Sequence, residues 1–596
     1  MKFEDYFSVK TQYGNFSGEA VFADDGFKCG DLLFTVNEKK EDEIYIRKDT
    51  VKNTGAEPIT LYEVLSRFKF NGGEYEVYTQ YSQWCMESVG KWDELNSGIF
   101  YRNHETRNNV GSNPFFALYN LQNQRGKAFH IIADGLWPYA IYRDFIQGPH
   151  HRIVVVEAGY DNFAYDLQPG ETLELPVILY YDFKNKIDLD AYKLHNFVNK
   201  RHNARLPVIY NTWMGVFDNI STDILMPQLE KAKYIGCEYF VIDAGWFGEK
   251  YKWFNSVGDW KEAENFQMCG KMKDFADTVR KNGLKFGLWF EIERASLSSE
   301  TVKKHPEYYI IENGQAFVNF ADKEARDYIF GVVSENIRKY NIKFIKFDFN
   351  ASLTNDKTNR AFIDYFKGYR QFIKNIRREF PQIYLENCSS GGMRMSLSSL
   401  RDFDSFWISD NHSVNAQIEI YKNTLLRLPA SCMEKWVTVG SLDGIFNDRK
   451  TIVASGDAGW GFTEGVKDNT LKEFMKGGPI GISCDLTKII PEHLEFLKEQ
   501  ISKYKEERAF WQKEKTYILS DTEHLICLEY STVDETKLSL FAKREIQNSY
   551  TAYPHCKGKY KTEDTVYEEL DEKGIEIDLL FGDYTGKSIE LKKIKE

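Results

Sequence analysis

Between residues 206 and 485 the chain repeats one pattern: a short apolar run followed by an amphipathic stretch. The runs are LPVIYNTW (206 to 213), CEYFVIDAGW (237 to 246), LKFGLWFE (284 to 291), IKFIKFD (342 to 348), IYLENC (383 to 388), SFWISD (405 to 410), WVTVGS (436 to 441) and PIGISCD (479 to 485). Each is short enough and apolar enough to be a strand buried on both faces. The stretches between them carry helical spacing: Ile329, Val333 and Ile337 fall at i, i+4 and i+8, and Phe362, Phe366, Tyr369, Phe372 and Ile376 form one stripe. Gly236 and Gly283 stand where a helix closes before the next strand. Strands alternating with helices give a parallel sheet, and eight such units are the number that closes a (β/α)8 TIM barrel. A doubly wound sheet is the alternative, but it has no reason to stop at eight.

The flanking regions read differently. Residues 1 to about 200 alternate short β-branched and aromatic runs with polar residues, punctuated by DDG, NTG, NGG and QPGE turn signals, and lack long helical periodicity. A large antiparallel sandwich is predicted there. From about 512 the strand-like pattern returns in YILS, HLICLEY, KLSLFAK, EIDL and SIELKK, which predicts a small β-sandwich. The expected organisation is an α/β protein: an N-terminal β-sandwich domain over 1–203, a catalytic barrel over 204–511 and a C-terminal β-sandwich domain over 512–596.

In a TIM barrel the chemistry sits at the carboxyl ends of the strands. In order, those ends carry Trp213, Asp243, Glu291, Asp348, Cys388 and Asp410. A single carboxylate at a strand end is ordinary, because strands emerge into solvated loops. Four on one rim, flanked by Trp246, Trp289 and Trp407, need a reason, since burying unpaired charge is costly. Paired carboxylates between aromatic walls are the equipment of glycoside cleavage, one protonating the leaving oxygen and the other attacking the anomeric carbon or activating water. No P-loop or dinucleotide fingerprint surrounds Gly391-Gly392 or Gly477-Gly478, and the histidines show no paired ligand spacing. Neither a cofactor nor a metal is expected. Cys388 at a strand end reads as structural rather than nucleophilic.

Composition narrows the setting. A net charge of −12 argues against nucleic acid as a partner. No apolar run approaches the length of a membrane span, and the N-terminus MKFEDYFSVK is too polar for a signal peptide. The nine cysteines are scattered singly, as in a reducing compartment. The expected location is cytoplasmic, with a small oligosaccharide or glycoside as substrate.

The stretches DAGWFG (243 to 248), GLWFEIE (287 to 293), HPE (305 to 307), ARDYIF (325 to 330), FIKFDFN (344 to 350), ENCSSGGMR (386 to 394) and FWISDNHS (406 to 413) together resemble family 36 of the glycoside hydrolases, the melibiase-like α-galactosidases. The resemblance runs from about 205 to 430 and is weaker on either side. It implies a retaining exo-glycosidase in which Asp348 is the nucleophile and Asp410 the general acid/base. It further implies that Cys388, Gly391 and Arg394 lie against the sugar 2-hydroxyl, that Asp243 and Lys346 reach other hydroxyls, and that Trp213, Trp246 and Trp289 contribute to the substrate site. A homo-oligomer is suggested only by family analogy. Four positions depart from the family pattern: Ala244 replaces a second aspartate, Phe347 a tryptophan, and Ile292 and Arg294 alter the segment after strand three. These substitutions bear on the preferred sugar. The same mechanism on an α-N-acetylgalactosaminide or a β-L-arabinopyranoside, a retaining transglycosylase and a non-catalytic sugar-binding protein are the competing readings.

Overall fold

In the computed structural model, residues 3–16, 21–23, 26–107, 109–145, 152–249, 252–262, 268, 270–438, 468–555, 558–568, 570–581 and 585–594 are described. Asp24 and Asp25 of the first turn signal, Cys269, Cys556 and residues 439–441 of the seventh strand run lie outside them.

Eight parallel strands close a barrel. They are β1 (Val208–Asn211), β2 (Tyr239–Ile242), β3 (Lys285–Phe290), β4 (Phe344–Phe347), β5 (Tyr384–Asn387), β6 (Ser405–Trp407), β7 (Met433–Val437) and β8 (Ile480–Ile482). Pairing runs in sequence order and β1 meets β8 through Val208↔Ile480, which removes both edges. The outer helices bury the stripes expected of them. Ile329, Val333 and Ile337 are buried on Lys323–Tyr340, and Phe366, Tyr369, Phe372 and Ile376 on Ile363–Glu379. Gly236 caps Thr222–Ile235 at φ 94°, a left-handed conformation that glycine adopts without a Cβ penalty.

The seventh strand departs from expectation. It begins at Met433, three residues before the predicted start, because Glu434 and Lys435 interrupt the apolar run and read as a loop. Both are nevertheless buried. Glu434 Oε1 accepts from Trp436 Nε1 at 2.8 Å, and the Lys435 ammonium lies over the Tyr421 ring and donates to the Lys476 carbonyl. Charged residues enter a core strand when each is given a partner.

The N-terminal region forms three antiparallel sheets of six, seven and five strands among the described residues. The six- and seven-stranded sheets enclose a core around Phe116, Phe129, Trp137, Ile141 and Val154, and a second core containing Phe7, Phe34, Leu61 and Tyr165 joins the five-stranded sheet. The outer face of the seven-stranded sheet supplies Ile44, Phe115, Ala117 and Tyr181 to the same continuous core as the barrel. Among the described residues one α-helix, Tyr192–Asn199, closes this mainly β region. Its tie to the barrel mouth is polar as well as apolar. Asn109 Nδ2 donates to the Met395 carbonyl at 2.8 Å, Gln80 Nε2 to the Asn423 carbonyl at 2.8 Å, and Arg427 Nε to Gln80 Oε1 at 3.0 Å. At the other end a six-stranded sheet and a two-stranded ribbon, Ile546–Ala552 with Ile575–Phe581, pack about Leu538, Leu540, Ile577 and Leu591, forming the small C-terminal sandwich. No helix among the described residues is long and apolar enough to cross a membrane.

Candidate active site

Asp243, Glu291, Asp348 and Cys388 are each the first residue after their strands, β2 to β5. Trp213 follows β1 by two residues and Asp410 follows β6 by three. Parallel pairing brings these ends to one rim, so residues more than a hundred positions apart converge without any loop having to travel.

Asp348 is clamped. Oδ1 accepts from the backbone N–H of Phe349 at 2.7 Å and of Ser390 at 3.2 Å; Oδ2 accepts from Asn350 Nδ2 at 3.0 Å and Trp289 Nε1 at 3.1 Å. Four donors on one carboxylate fix its rotamer. Asp410 is held by two indoles, with Oδ1 accepting from Trp407 Nε1 and Oδ2 from Trp84 Nε1, both at 2.9 Å. Burial raises its proton affinity above the usual carboxylate value, the charge of Asp348 raises it further, and the two indole N–H groups oppose that rise. The loop after β5 joins the two carboxylates. Ser390 N–H reaches Asp348, and a Cβ on its neighbour Gly391 would stand 2.7 Å from the Asp410 nitrogen. Gly391 also has φ 74°, so no other residue fits without displacing the backbone.

Beside this pair lies a buried polar floor. Lys346 Nζ donates to Asp243 Oδ2 at 2.9 Å, Asn211 Nδ2 donates to the same oxygen at 2.7 Å, and Asp243 Oδ1 accepts from Ala244 N–H at 2.9 Å. Burial works against the Lys346 charge, but Asp243 and then Glu386 and Asp348 outweigh it, so the ammonium keeps its proton. Its other face rests on the Trp436 ring, 4.6 Å from the centroid. Trp436 stacks on Trp407 with centroids 4.0 Å apart, and Cys388 packs into the same cluster with Trp213 at its margin. The Cys388 thiol is pushed well up by burial and then by Asp348, which keeps it a thiol. Beneath the floor, Glu386 and Glu434 face each other. Burial and then the charge of Glu434 drive Glu386 well above the carboxylate range, so the pair holds a proton.

The remaining expected residues sit elsewhere. Trp246 is fully buried behind Trp289, donating from Nε1 to the Trp289 carbonyl at 2.8 Å, and supports that wall instead of forming it. Arg394, expected against the 2-hydroxyl, is 2% exposed. Its Nη2 donates to Glu293 Oε2 at 3.1 Å, and Tyr365 Oη donates to the same oxygen at 2.8 Å. The guanidinium lies over Phe349, so it braces the loop from behind. Glu291, one of the four rim carboxylates, is consumed by Arg294, whose Nε and Nη2 donate to its two oxygens at 2.8 and 2.6 Å. Sequence reasoning missed Trp84, Glu87, Asn350, Trp436 and Asn211. Asn211 and Asn350 end or follow barrel strands and could have been found by that rule; Trp84 and Glu87, on the N-terminal sheet, carried no local signal. Among the described residues, no three His, Cys, Asp or Glu side chains are grouped to hold a metal.

Residues 178–514 match the family model described as melibiase. Over 512 residues, 81% of its length, the chain is 28% identical to the α-galactosidase Mel36A of Lactobacillus acidophilus. It is 25% identical over 511 residues to the α-galactosidase AgaA of Geobacillus stearothermophilus. The chain spans about two thirds of the length of these curated relatives, 66% of the first and 67% of the second. The α-galactosidase structure from Lactobacillus brevis superposes with a TM-score of 0.86 at 20% identity, covering 99% of this chain and 88% of that one. A variant of AgaA in complex with raffinose superposes at 0.84, with 20% identity, 99% of this chain and 89% of that chain.

Proposed function

This chain belongs to the melibiase family, and on that premise we propose that it is a retaining exo-glycosidase that hydrolyses terminal α-linked galactose. The single observation that carries the reading is the contrast between the two carboxylates. Asp348 is fixed by four donors, while Asp410 has its proton affinity raised by burial and by Asp348. Environments that separate two carboxyls in this way assign one as nucleophile and the other as acid.

The steps follow. Asp348 attacks the anomeric carbon as Asp410 gives its proton to the glycosidic oxygen; the carbon–oxygen bond breaks and an alcohol leaves. Asp410, now ionised, takes a proton from water, the resulting oxygen attacks the anomeric carbon from the vacated face, and the bond to Asp348 breaks. Two inversions return the original configuration. The Asp243–Lys346 pair offers the sugar one acceptor and one donor for its hydroxyls, and Cys388 with the tryptophan cluster walls the ring. Mel36A and AgaA are named α-galactosidases and an AgaA variant was solved with raffinose, which supports α-galactosides of that kind as substrates here.

One observation favours a second substrate. Where the family pattern has a second aspartate, Ala244 presents a methyl group that is 1% exposed. Of the three candidates to fill the gap, Glu293 is committed to Arg394 and Arg294 to Glu291, while the buried Asp218 packs against Gly245 next to it. A β-L-arabinopyranoside, an α-galactoside without its hydroxymethyl group, loses nothing from that missing contact. The test is a panel of nitrophenyl glycosides with the first-formed anomer followed by NMR. Release of the α-anomer from α-galactoside supports the proposal; an inverted product, or turnover of no galacto-configured glycoside, overturns it.

A further inference from the structure

The tip of the hairpin Tyr75–Gln83 and Met86–Glu94 reaches into the barrel mouth. It delivers Trp84 to Asp410 and, three residues later, Glu87. Glu87 has no exposed surface. Its Oε1 accepts from Gly392 N–H at 3.3 Å. A Cβ on Gly391 would stand 2.7 Å from Glu87 Oε1 and 2.7 Å from the Asp410 nitrogen, so the two residues close on one glycine together. Oε2 has no hydrogen-bond partner among the described residues.

The groups around this carboxyl are the Ser409 side chain and Asp410 from the barrel, and the Cys85 thiol from its own hairpin. The Arg427 guanidinium feels the charge of Glu87 but gives its hydrogen bonds to the Ser88 hydroxyl at 2.9 Å, the Gln80 side chain and the Met395 carbonyl. A fully desolvated carboxylate is unfavourable: burial raises the Glu87 pKa, the Ser409 hydroxyl opposes the rise and the charge of Asp410 adds to it, for a value of about 8.

We propose that Glu87 is a positioning residue for the acid/base step: a neutral carboxyl that fixes the Gly391–Gly392 turn against Asp410 without placing a second negative charge beside it. The inference rests on Asp410 being the acid/base. A neutral carboxyl uses one oxygen as acceptor for Gly392 N–H and keeps its proton on the other. Glutamine reproduces that arrangement, with an acceptor oxygen and an uncharged N–H donor. Alanine orphans the Gly392 N–H and leaves a void under the turn.

The experiment measures kcat/KM from pH 5 to 7, below the titration of Glu87, for wild type, Glu87→Gln, Glu87→Ala and Asp410→Ala on nitrophenyl α-galactoside and on an unactivated α-galactoside. Glu87→Gln should stay within about threefold of wild type on both substrates, with the alkaline limb unmoved, because an uncharged group replaces an uncharged one. Glu87→Ala should lose roughly ten- to a hundred-fold on the unactivated substrate and far less on the nitrophenyl one, since only the former depends on a well-placed proton. Equal losses on both substrates would show a merely structural role. An acid-ward shift of the Glu87→Gln limb by about a pH unit would show that Glu87 works as an anion. Should Glu87→Ala not fold, the limb of Glu87→Gln still decides the matter. If Asp410→Ala itself fails to discriminate between the substrates, the acid/base reading falls and this inference with it. If Asp410→Ala discriminates and Glu87→Ala does not, only the role of Glu87 is lost.

Discussion

The two halves of the site are built differently. The half around Asp348, the proposed nucleophile, is made by the barrel alone: Asp348, its four donors and the Asp243–Lys346 floor all come from the ends of β1 to β5 and the residues just beyond them. The half around Asp410, the proposed acid/base, is shared. Asp410 hangs between Trp407, three residues away, and Trp84, 326 residues away on another sheet. Closed parallel pairing enforces the first half, because the strands cannot slip without breaking the whole barrel. The second half depends on how the N-terminal sheet docks, through Asn109, Gln80, Arg427 and Glu87. A site assembled across two cores can be tuned at its docking contacts without disturbing the nucleophile.

That contrast can be broken most severely at Asp348. Asp348→Ala should lower kcat by roughly 10⁴-fold or more, since no other group can form the covalent bond. Azide should then restore turnover with inverted product, read by NMR; rescue with retained configuration would contradict a displaced nucleophile. Asp410→Ala should lose about 10²–10⁴-fold on unactivated galactosides but much less on nitrophenyl galactoside, the signature of a missing general acid. A uniform loss across leaving groups would assign Asp410 to the floor instead.

The shared half has its own probe in Trp84→Phe, which deletes one donor and keeps the ring. A hydrogen bond to a charged group contributes about 1.5–3 kcal/mol, so kcat/KM should fall roughly ten- to a hundred-fold, with little change in thermal midpoint. The sign of the pH effect is fixed by the physics. Trp84 N–H favours the ionised form of Asp410, so its loss raises the Asp410 pKa, the acid stays protonated to higher pH, and the alkaline limb moves upward. A downward shift would mean that Trp84 does not act on the carboxylate. The smallest effect is expected at Ala244 in the barrel's own half. Ala244→Asp should shift the kcat/KM ratio from β-L-arabinopyranoside towards α-galactoside by about tenfold, the worth of one hydrogen bond to a charged group. An unchanged ratio would place position 244 away from the sugar.

The strand runs were legible because barrel strands are buried on both faces, and apolar runs bounded by helical stripes have few other meanings. The seventh was displaced because Glu434 and Lys435 look like loop residues until their partners, Trp436 and Tyr421, are seen. The rim carboxylates were legible for the same reason as the strands: the residue after a barrel strand has only one place to go. Their duties were less so. Glu291 and Arg394 are consumed by Arg294 and Glu293, and an ion pair between residues separated by 3 or 101 positions is a matter of side-chain direction in space.

By itself, then, the sequence determined the barrel, the order of its strands and the ring of candidate residues, because apolar periodicity and chain connectivity dictate which backbone ends share a face. Tertiary structure decided which carboxyls are desolvated, which tryptophans stand at the rim and which behind it, and that Trp84 and Glu87 come up beside Asp410. Those properties arise from desolvation and from contacts between distant segments, and neither is written in the spacing of residues along the chain.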